Sequence, residues 1–301
     1  MNRKTTNRLI ALLAVIFIIQ GCSSLRPAAG EAALEQEAAE AARSADHERA
    51  LALYEELMEG RRSRDAAVDP GHYRGAGLAA HALGRTDKVL AYLEPLRHDA
   101  GAGAPVFAAL AEAYRRVDNL SREISSLETY VTHYPEGADI DALRLRYFET
   151  LAESRNWEQA AALWPGVEEQ ARGQEPLMNR YFEVLVALDR EEEAERLARE
   201  LLGMNPDNLL ALDHLGKLHY RRAEEIHHRE TRAYERNRTR QQYARLLKAY
   251  EVMNEDFRTA LGYFLRLFEL HPTRETASFL RNIYSRFGDE ERARYYDTRL
   301  Q

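Results

Sequence analysis

Two stretches of the 301-residue chain decide its fold, PVFAALAEAYRRVDNLSREISSLETYVTHYP at 105–135 and PLMNRYFEVLVALDREEEAERLARELLGMNP at 176–206. In each stretch apolar residues recur three and four positions apart over two runs, and a short polar turn separates the runs. Because this spacing places apolar side chains on one face of an α-helix, each stretch predicts a pair of amphipathic helices. A proline closes each stretch, as is typical just beyond the end of a helix.

Copies of this helix pair recur with a spacing of 34 residues at 72–96 and, after an insertion of three residues, at 147–164, and a last copy lies at 277–293. The helix pairs resemble tetratricopeptide repeats over about residues 45–300. The resemblance implies an all-α fold, an α-solenoid of tandem helix-turn-helix repeats in which small residues let the first helix pack closely on the second. A generic helical bundle is the alternative, but it explains only the helical spacing and not the repeat of 34 residues.

One repeat departs from this spacing. The segment NLLALDHLGKLHY at 208–220 begins a repeat, but 221–245 contains no glycine or proline, and the next matching alanine, Ala260, comes 32 residues late. These residues form either a degenerate repeat that ends near 254–256 or two overlong helices that reverse near Asn237. Apolar residues from Tyr243 to Phe268 stay in helical phase, which favours the overlong hairpin. Its first helix, 209–236, would be about 42 Å long.

The outer part of this predicted hairpin is basic. Residues 221–245 contain eight arginines and four glutamates. One hypothesis is a solvated helix pair with Glu–Arg contacts such as Glu225–Arg229. The other is a contact with an acidic or aromatic protein surface, since arginine and tyrosine are enriched at binding hot spots. The residues that this second hypothesis assigns to the contact are Arg229, Arg232, Tyr234, Arg236 and Arg238.

The N-terminus has the pattern of an export signal. Three basic residues precede eleven apolar ones, Leu9 to Ile19, and this run is too short for a membrane-spanning helix. The next residues, Ile19-Gln20-Gly21-Cys22, resemble a bacterial lipobox, which implies cleavage before Cys22 and lipid attachment (palmitate) to it. Ser23 favours the outer membrane by the same resemblance. An ordinary cleaved signal with a chance cysteine is the alternative.

The predicted domains follow from these patterns. They are a signal peptide at 1–21, a lipidated N-terminus and first helix at 22–45, repeats at 46–207, the repeat with the extended hairpin at 208–272, and a capping repeat at 273–301. Loss of the signal removes three positive charges and changes the net charge from −7 to −10. So acidic a chain is not expected to bind nucleic acid.

Two short segments match motifs of cofactor-binding or metal-binding sites, but each lacks the sequence context that such a site requires. Gly75, Gly77 and Ala80 match a dinucleotide-binding fingerprint, but they lie within a predicted helix and follow no strand. The segment EEIHH at 224–228 has the Glu-x-x-His spacing of di-iron helices without a second copy. We therefore expect no enzyme, no cofactor and no metal site.

The tetratricopeptide resemblance also implies a ligand groove lined by the first helix of each repeat. The groove positions carried over to this chain are Arg74, His81, Arg115, Arg116, Asn179, Glu183, Lys217 and Arg221. Ordinary solvated side chains are the alternative for most of these positions. Neither tryptophan is expected in the groove, since Trp157 and Trp164 occupy core positions of the repeat.

Two functions are compatible with these features. The first is a lipid-anchored, periplasm-facing scaffold that binds protein partners in an envelope assembly, secretion or cell-wall complex. The second is a lipoprotein that captures glycans or peptides for an outer-membrane transporter. The expected tryptophan positions favour the scaffold, because glycan capture usually uses exposed aromatic side chains.

Overall fold

The computed structural model describes residues 28–299, and Cys22 with the predicted signal lies outside them. Two compact units divide the chain, with described parts 28–143 and 144–299. Between residues 28 and 299 the chain forms helices and turns and contains no strand. Helices of the first unit are α1 (Ala28–Arg43), α2 (His47–Arg62), α3 (Pro70–Ala82), α4 (Thr86–Leu93), α5 (Ala104–Arg116), α6 (Leu120–His133) and the start of α7 (Ile140–Glu153).

The second unit contains the rest of α7 and eight further helices. Short helices follow α7, and two of the later helices are much longer than the others. The helices are α8 (Trp157–Leu163), α9 (Glu168–Ala171), α10 (Glu175–Ala187), α11 (Glu191–Met204), α12 (Leu209–Arg236), α13 (Arg240–Leu270), α14 (Arg274–Arg286) and α15 (Glu290–Asp297). Single 3-10 turns at Glu94–Leu96 and Trp164–Gly166 extend α4 and α8.

The repeat spacing appears directly in the backbone of the turns. A residue in the left-handed region follows the first helix of four successive pairs: Gly84 (φ 68°), Asp118 (54°), Arg155 (61°) and Asp189 (56°). These residues are 34, 37 and 34 positions apart, so the three-residue insertion lies between the second and third. Such a residue ends a helix and lets the chain reverse. The next position in this series is Ala223, which is buried inside α12 instead.

Close packing between paired helices explains the small residues of the repeats. In the first unit, a Cβ on Gly77 of α3 would lie only 2.1 Å from Leu93 of α4, which is fully buried. Ala76 and Ala80 on the same helix are also fully buried. Because only a residue without a side chain permits this approach, the expected role of the small residues agrees with the structure. The all-α, tetratricopeptide-like repeat fold is confirmed.

The irregular repeat is the overlong hairpin and not a degenerate repeat. Helix α12 runs for 28 residues and α13 for 31, and they reverse at 237–239, where Thr239 accepts a hydrogen bond from the backbone N–H of Gln242. The base of the hairpin is part of a core that includes the fully buried Phe257 and Phe264 and extends to α14 and α15. This core ends near Ile226 and Tyr250. Beyond it, Leu246 is the remaining buried residue among 227–249.

Within the part of the chain that the structure describes, no helix has both the length and the apolar character needed to cross a membrane.

Candidate functional site

A groove of about 860 Å³ lies within the second unit, between α7, α10 and α12. The first helix of a repeat supplies each of these three walls, and turn residues close one end. The side chains that line the groove include Trp157, Phe182, Glu183, Val186, Leu210, His214, Lys217 and Arg221.

Two exposed aliphatic side chains, Val186 and Leu210, line this groove and are called its floor below. Val186 of α10 and Leu210 of α12 are 47% and 40% exposed, although both are aliphatic residues on well-packed helices. Beside them, the buried ring of Phe182 meets the ring of His214 edge to face, with centroids 5.1 Å apart. Burial lowers the pKa of His214, which favours the neutral form of its imidazole. The exposed parts of Val186 and Leu210 are therefore apolar surface that a ligand can cover.

Charged side chains also line the groove and are called its rim, and most of them form ion pairs within the chain. Arg180 contacts Glu183 at 2.9 Å, and Arg221 contacts Glu191. Lys217 lies 2.9 Å from a carboxylate oxygen of both Asp213 and Glu275. Burial acts to lower the pKa of Lys217, but hydrogen bonds to Glu275 and Asp213 outweigh burial and raise it.

The end of the groove near α8 differs from the rest. Arg155 is exposed and has no carboxylate within 4.0 Å among residues 28–299. Trp157 is only partly buried and lines the groove, whereas a core position was expected. It is the first residue of α8, so no preceding helical turn covers its ring. Trp164 does occupy the core, where it stacks on Tyr181 with ring centroids 4.0 Å apart.

The predicted groove residues of the second unit have two different environments. Glu183, Lys217 and Arg221 all line the groove described above. Asn179 lies next to it and accepts a hydrogen bond of 2.8 Å from Asn208, the buried residue that caps the start of α12. Asn179 thus positions the helix that carries Lys217 and Arg221.

The predicted groove residues of the first unit make contacts within that unit. Arg74 donates a hydrogen bond of 2.7 Å to the carbonyl of Gly101. His81 lies 3.4 Å from Glu112, which also contacts Arg116. Arg115 lies 3.7 Å from the carboxylate of Glu123, a residue that is 1% exposed. These side chains join neighbouring helices of the first unit.

The outer end of the hairpin, residues 227–249, is called the hairpin tip below. Here Arg229, Arg232, Arg236 and Arg238 are exposed, and the ring of Tyr234 packs on Tyr243 with centroids 5.7 Å apart. The expected Glu225–Arg229 contact is not formed, because Arg229 contacts the adjacent Glu230 at 2.8 Å instead.

The Glu-x-x-His pairs at the base of the hairpin have other contacts. Glu224 accepts two hydrogen bonds of 2.6 Å from Arg286 of α14, and His228 lies 3.6 Å from the same carboxylate. Between residues 28 and 299, no three His, Cys, Asp or Glu side chains are grouped so that they can hold a metal ion.

Comparison with known proteins finds similar solved structures. A crystal structure of a candidate protein-binding protein from Bacteroides ovatus is similar with a TM-score of 0.51 and 19% identity, over 68% of this chain and 98% of that one. YrrB, a TPR protein with an unusual peptide-binding site, is similar with a TM-score of 0.44 and 19% identity, over 58% of this chain and 87% of that one. A tetratricopeptide repeat protein from Parabacteroides merdae is similar with a TM-score of 0.41 and 11% identity, over 90% of this chain and 91% of that one. No protein-family model matches the sequence, and no curated protein matches it.

Proposed function

We propose that this protein is a lipid-anchored scaffold of the bacterial outer membrane that faces the periplasm and binds partner proteins through the groove of its second unit. The single observation that carries the proposal is the exposed apolar floor formed by Val186 and Leu210. Covering the exposed half of each side chain contributes about 1 kcal/mol. The partner process is an envelope assembly, secretion or cell-wall complex, as inferred from the lipobox-like N-terminus.

The rim supports a protein ligand for a second reason. Its charges alternate in sign and are mostly paired within the chain, as in the pairs Arg180–Glu183 and Lys217–Asp213. Such a rim attracts neither strongly acidic nor strongly basic ligands. A polypeptide segment suits it, because it brings an apolar side chain for the floor and backbone groups that hydrogen-bond to rim side chains.

The groove is tested by placing a charge on its floor. Val186→Glu and Leu210→Glu are compared with Val117→Glu, since Val117 is 50% exposed in the first unit and is not part of this groove. Each variant is expressed at its natural level, crosslinked in whole cells and purified, and its partners are quantified by mass spectrometry. We expect both groove variants to lose the partners that wild type and Val117→Glu retain. Equal recovery in all three variants would contradict the proposal.

The lipid anchor is tested separately, because Cys22 lies outside the described residues. Cys22→Ala is expected to move the protein from the membrane fraction to the soluble periplasmic fraction, since no lipid can be attached. Unchanged fractionation of Cys22→Ala, together with a wild-type N-terminal peptide that carries no added acyl mass, would exclude the anchor and leave the groove proposal intact.

Capture of a glycan is a second candidate function, and the partly exposed Trp157 in the groove favours it. The chain has two tryptophans, so Trp164→Phe leaves Trp157 as the one fluorescent tryptophan. Titration of this variant with cell-wall oligosaccharides and with peptides separates the two functions. A saturable change in Trp157 fluorescence with the sugars alone would favour glycan capture, and a change with peptides alone would favour the scaffold.

A further inference from the structure

Positive charge accumulates at the hairpin tip, where the chain provides little to neutralise it. Residues 227–249 include six arginines and one lysine but only two glutamates, Glu230 and Glu235. Among the described residues, the tip takes part in two ion pairs, Arg229–Glu230 and His228–Glu224. The exposed cations that have no carboxylate within 4.0 Å in residues 28–299 are Arg232, Arg236, Arg238, Arg240, Arg245 and Lys248.

The base of the same hairpin is different. Arg222 contacts Glu195 of α11 at 2.6 Å, and Arg266 contacts Asp207 at 2.5 Å. Glu224 pairs with Arg286 of α14 at 2.6 Å. Where the hairpin packs on neighbouring helices, these charged side chains therefore form ion pairs with them. Such pairs between the hairpin and its neighbours end where the core ends. A merely solvated helix pair would be stabilised by Glu–Arg pairs along its length, but Arg229–Glu230 is the one such pair among residues 227–249.

Exposed apolar side chains accompany this charge. Tyr243 and Leu247 are 50% and 48% exposed, and they lie one turn apart on the same face of α13. Arg240 precedes Tyr243 by three residues and so lies on this face as well. Arginine and tyrosine together with a small apolar patch are the composition of a protein-binding hot spot.

We infer that the hairpin tip is a second docking surface, which binds an acidic segment of a partner protein. Carboxylates of that segment pair with the uncompensated arginines, whose guanidinium groups offer two parallel N–H donors to each carboxylate. Tyr243 and Leu247 cover an apolar side chain of the same segment. A membrane surface fits less well, because insertion of a helix into a bilayer interface requires a longer apolar face than these two side chains form. This inference rests on the scaffold function proposed above, but it uses a different surface.

The test uses labelled peptides of defined charge and fluorescence anisotropy. The acidic probe is five repeats of Glu-Glu-Leu, and the basic control is five repeats of Lys-Lys-Leu. The tip variant is Arg232→Gln, Arg238→Gln and Arg240→Gln combined. Its matched control, Arg43→Gln, Arg196→Gln and Arg294→Gln, removes the same charge from exposed positions outside the tip. All six side chains are exposed, so both variants are expected to fold.

We expect the acidic peptide to bind wild type. Its dissociation constant should be at least tenfold higher for the tip variant and within twofold of the wild-type value for the control variant. Binding to wild type should also weaken as salt rises, because the pairs are ionic. Equal weakening in both triple variants would overturn the inference, since it would show attraction to overall charge alone. So would binding to phosphatidylglycerol vesicles without binding to the peptide.

Val186→Glu separates this inference from the proposed function. This groove variant should bind the acidic peptide as wild type does. If it loses the peptide while the tip variant retains it, the peptide occupies the groove, and the inference about the tip is wrong while the scaffold proposal stands.

Discussion

Close packing of α12 on α13 holds the base of the hairpin, and one added methyl group tests it. A Cβ on Gly216 would lie 2.8 Å from the ring of Phe264. That ring cannot move aside easily, because it is fully buried and stacks on Phe279 of α14 with centroids 4.6 Å apart. Overpacking of this kind costs about 1 to 3 kcal/mol. Replacement of glycine by alanine inside a helix stabilises the helix by about 1 kcal/mol. Gly216→Ala should therefore lower the free energy of unfolding by up to about 2 kcal/mol.

Gly262→Ala is the matched control, because Gly262 lies on the exposed side of α13 and its Cβ would have no neighbour within 4 Å. Its expected effect is a gain of up to about 1 kcal/mol from helix propensity alone. The difference between the two variants removes the propensity contribution and isolates the packing cost at Phe264.

Urea unfolding followed by circular dichroism gives the stabilities, and hydrogen exchange shows where they change. Repeat proteins can unfold in parts, so backbone amides of α12 and α13 are followed individually by exchange and mass spectrometry. We expect faster exchange in these helices for Gly216→Ala and equal or slower exchange for Gly262→Ala. If Gly216→Ala is as stable as Gly262→Ala, the close approach of α12 and α13 is not what holds the hairpin.

Further predictions concern one ion pair, the hairpin tip and the core beneath it. Hydrogen bonds from Arg222 and Arg199 lower the pKa of Glu195 from 4.5 to about 2 against the opposing effect of burial. Because the pKa is lower in the folded state, this carboxylate stabilises the fold above pH 4.5, and the contribution is lost as the pH falls towards 2. Arg222 is partly exposed, so Glu195→Gln should cost about 1 kcal/mol at pH 7 and much less at pH 2, where Glu195 is partly protonated even in the folded state, as measured by urea unfolding at both values. An equal loss at both values would contradict the assignment. Replacing residues 228–248 by a four-residue Gly/Ser loop should shift the melting temperature by no more than a few degrees, since Leu246 is the one buried residue removed. Phe257→Ala, by contrast, should cost about 3 to 5 kcal/mol, and a larger loss from the loop replacement than from Phe257→Ala would show that the tip is part of the core.

The helices were predictable because their signals are local. The 34-residue spacing appears in the structure as left-handed turn residues at Gly84 and Asp118, and again at Arg155 and Asp189. The hairpin was predictable for the complementary reason, since 221–245 contains no glycine or proline and Ala223 replaces the next turn residue. Continuous helical phase of the apolar residues therefore indicated α13 correctly.

The groove was only partly predictable, because exposure depends on which neighbouring helix covers a side chain. Positions carried over from tetratricopeptide repeats located Glu183, Lys217 and Arg221 in the groove. The same method missed Val186 and Leu210, which look like ordinary core residues in a helical pattern. Trp157 was wrongly assigned to the core, since periodicity does not show that α8 begins at this residue. One signal in the sequence could have indicated the exposure of Leu210. Leu209 and Leu210 are adjacent at the start of α12, and the apolar face of the helix needs only one of them.

Site-specific photocrosslinking in living cells tests the central claim, that the exposed floor of the groove binds partner proteins. A photoreactive phenylalanine derivative replaces Val186 in the full-length chain, with the same replacement at the equally exposed Val117 as the control. We expect discrete protein adducts from position 186 that are absent at position 117 and that Leu210→Glu abolishes. Adducts that are identical at both positions, or none from position 186 at natural expression, would contradict it.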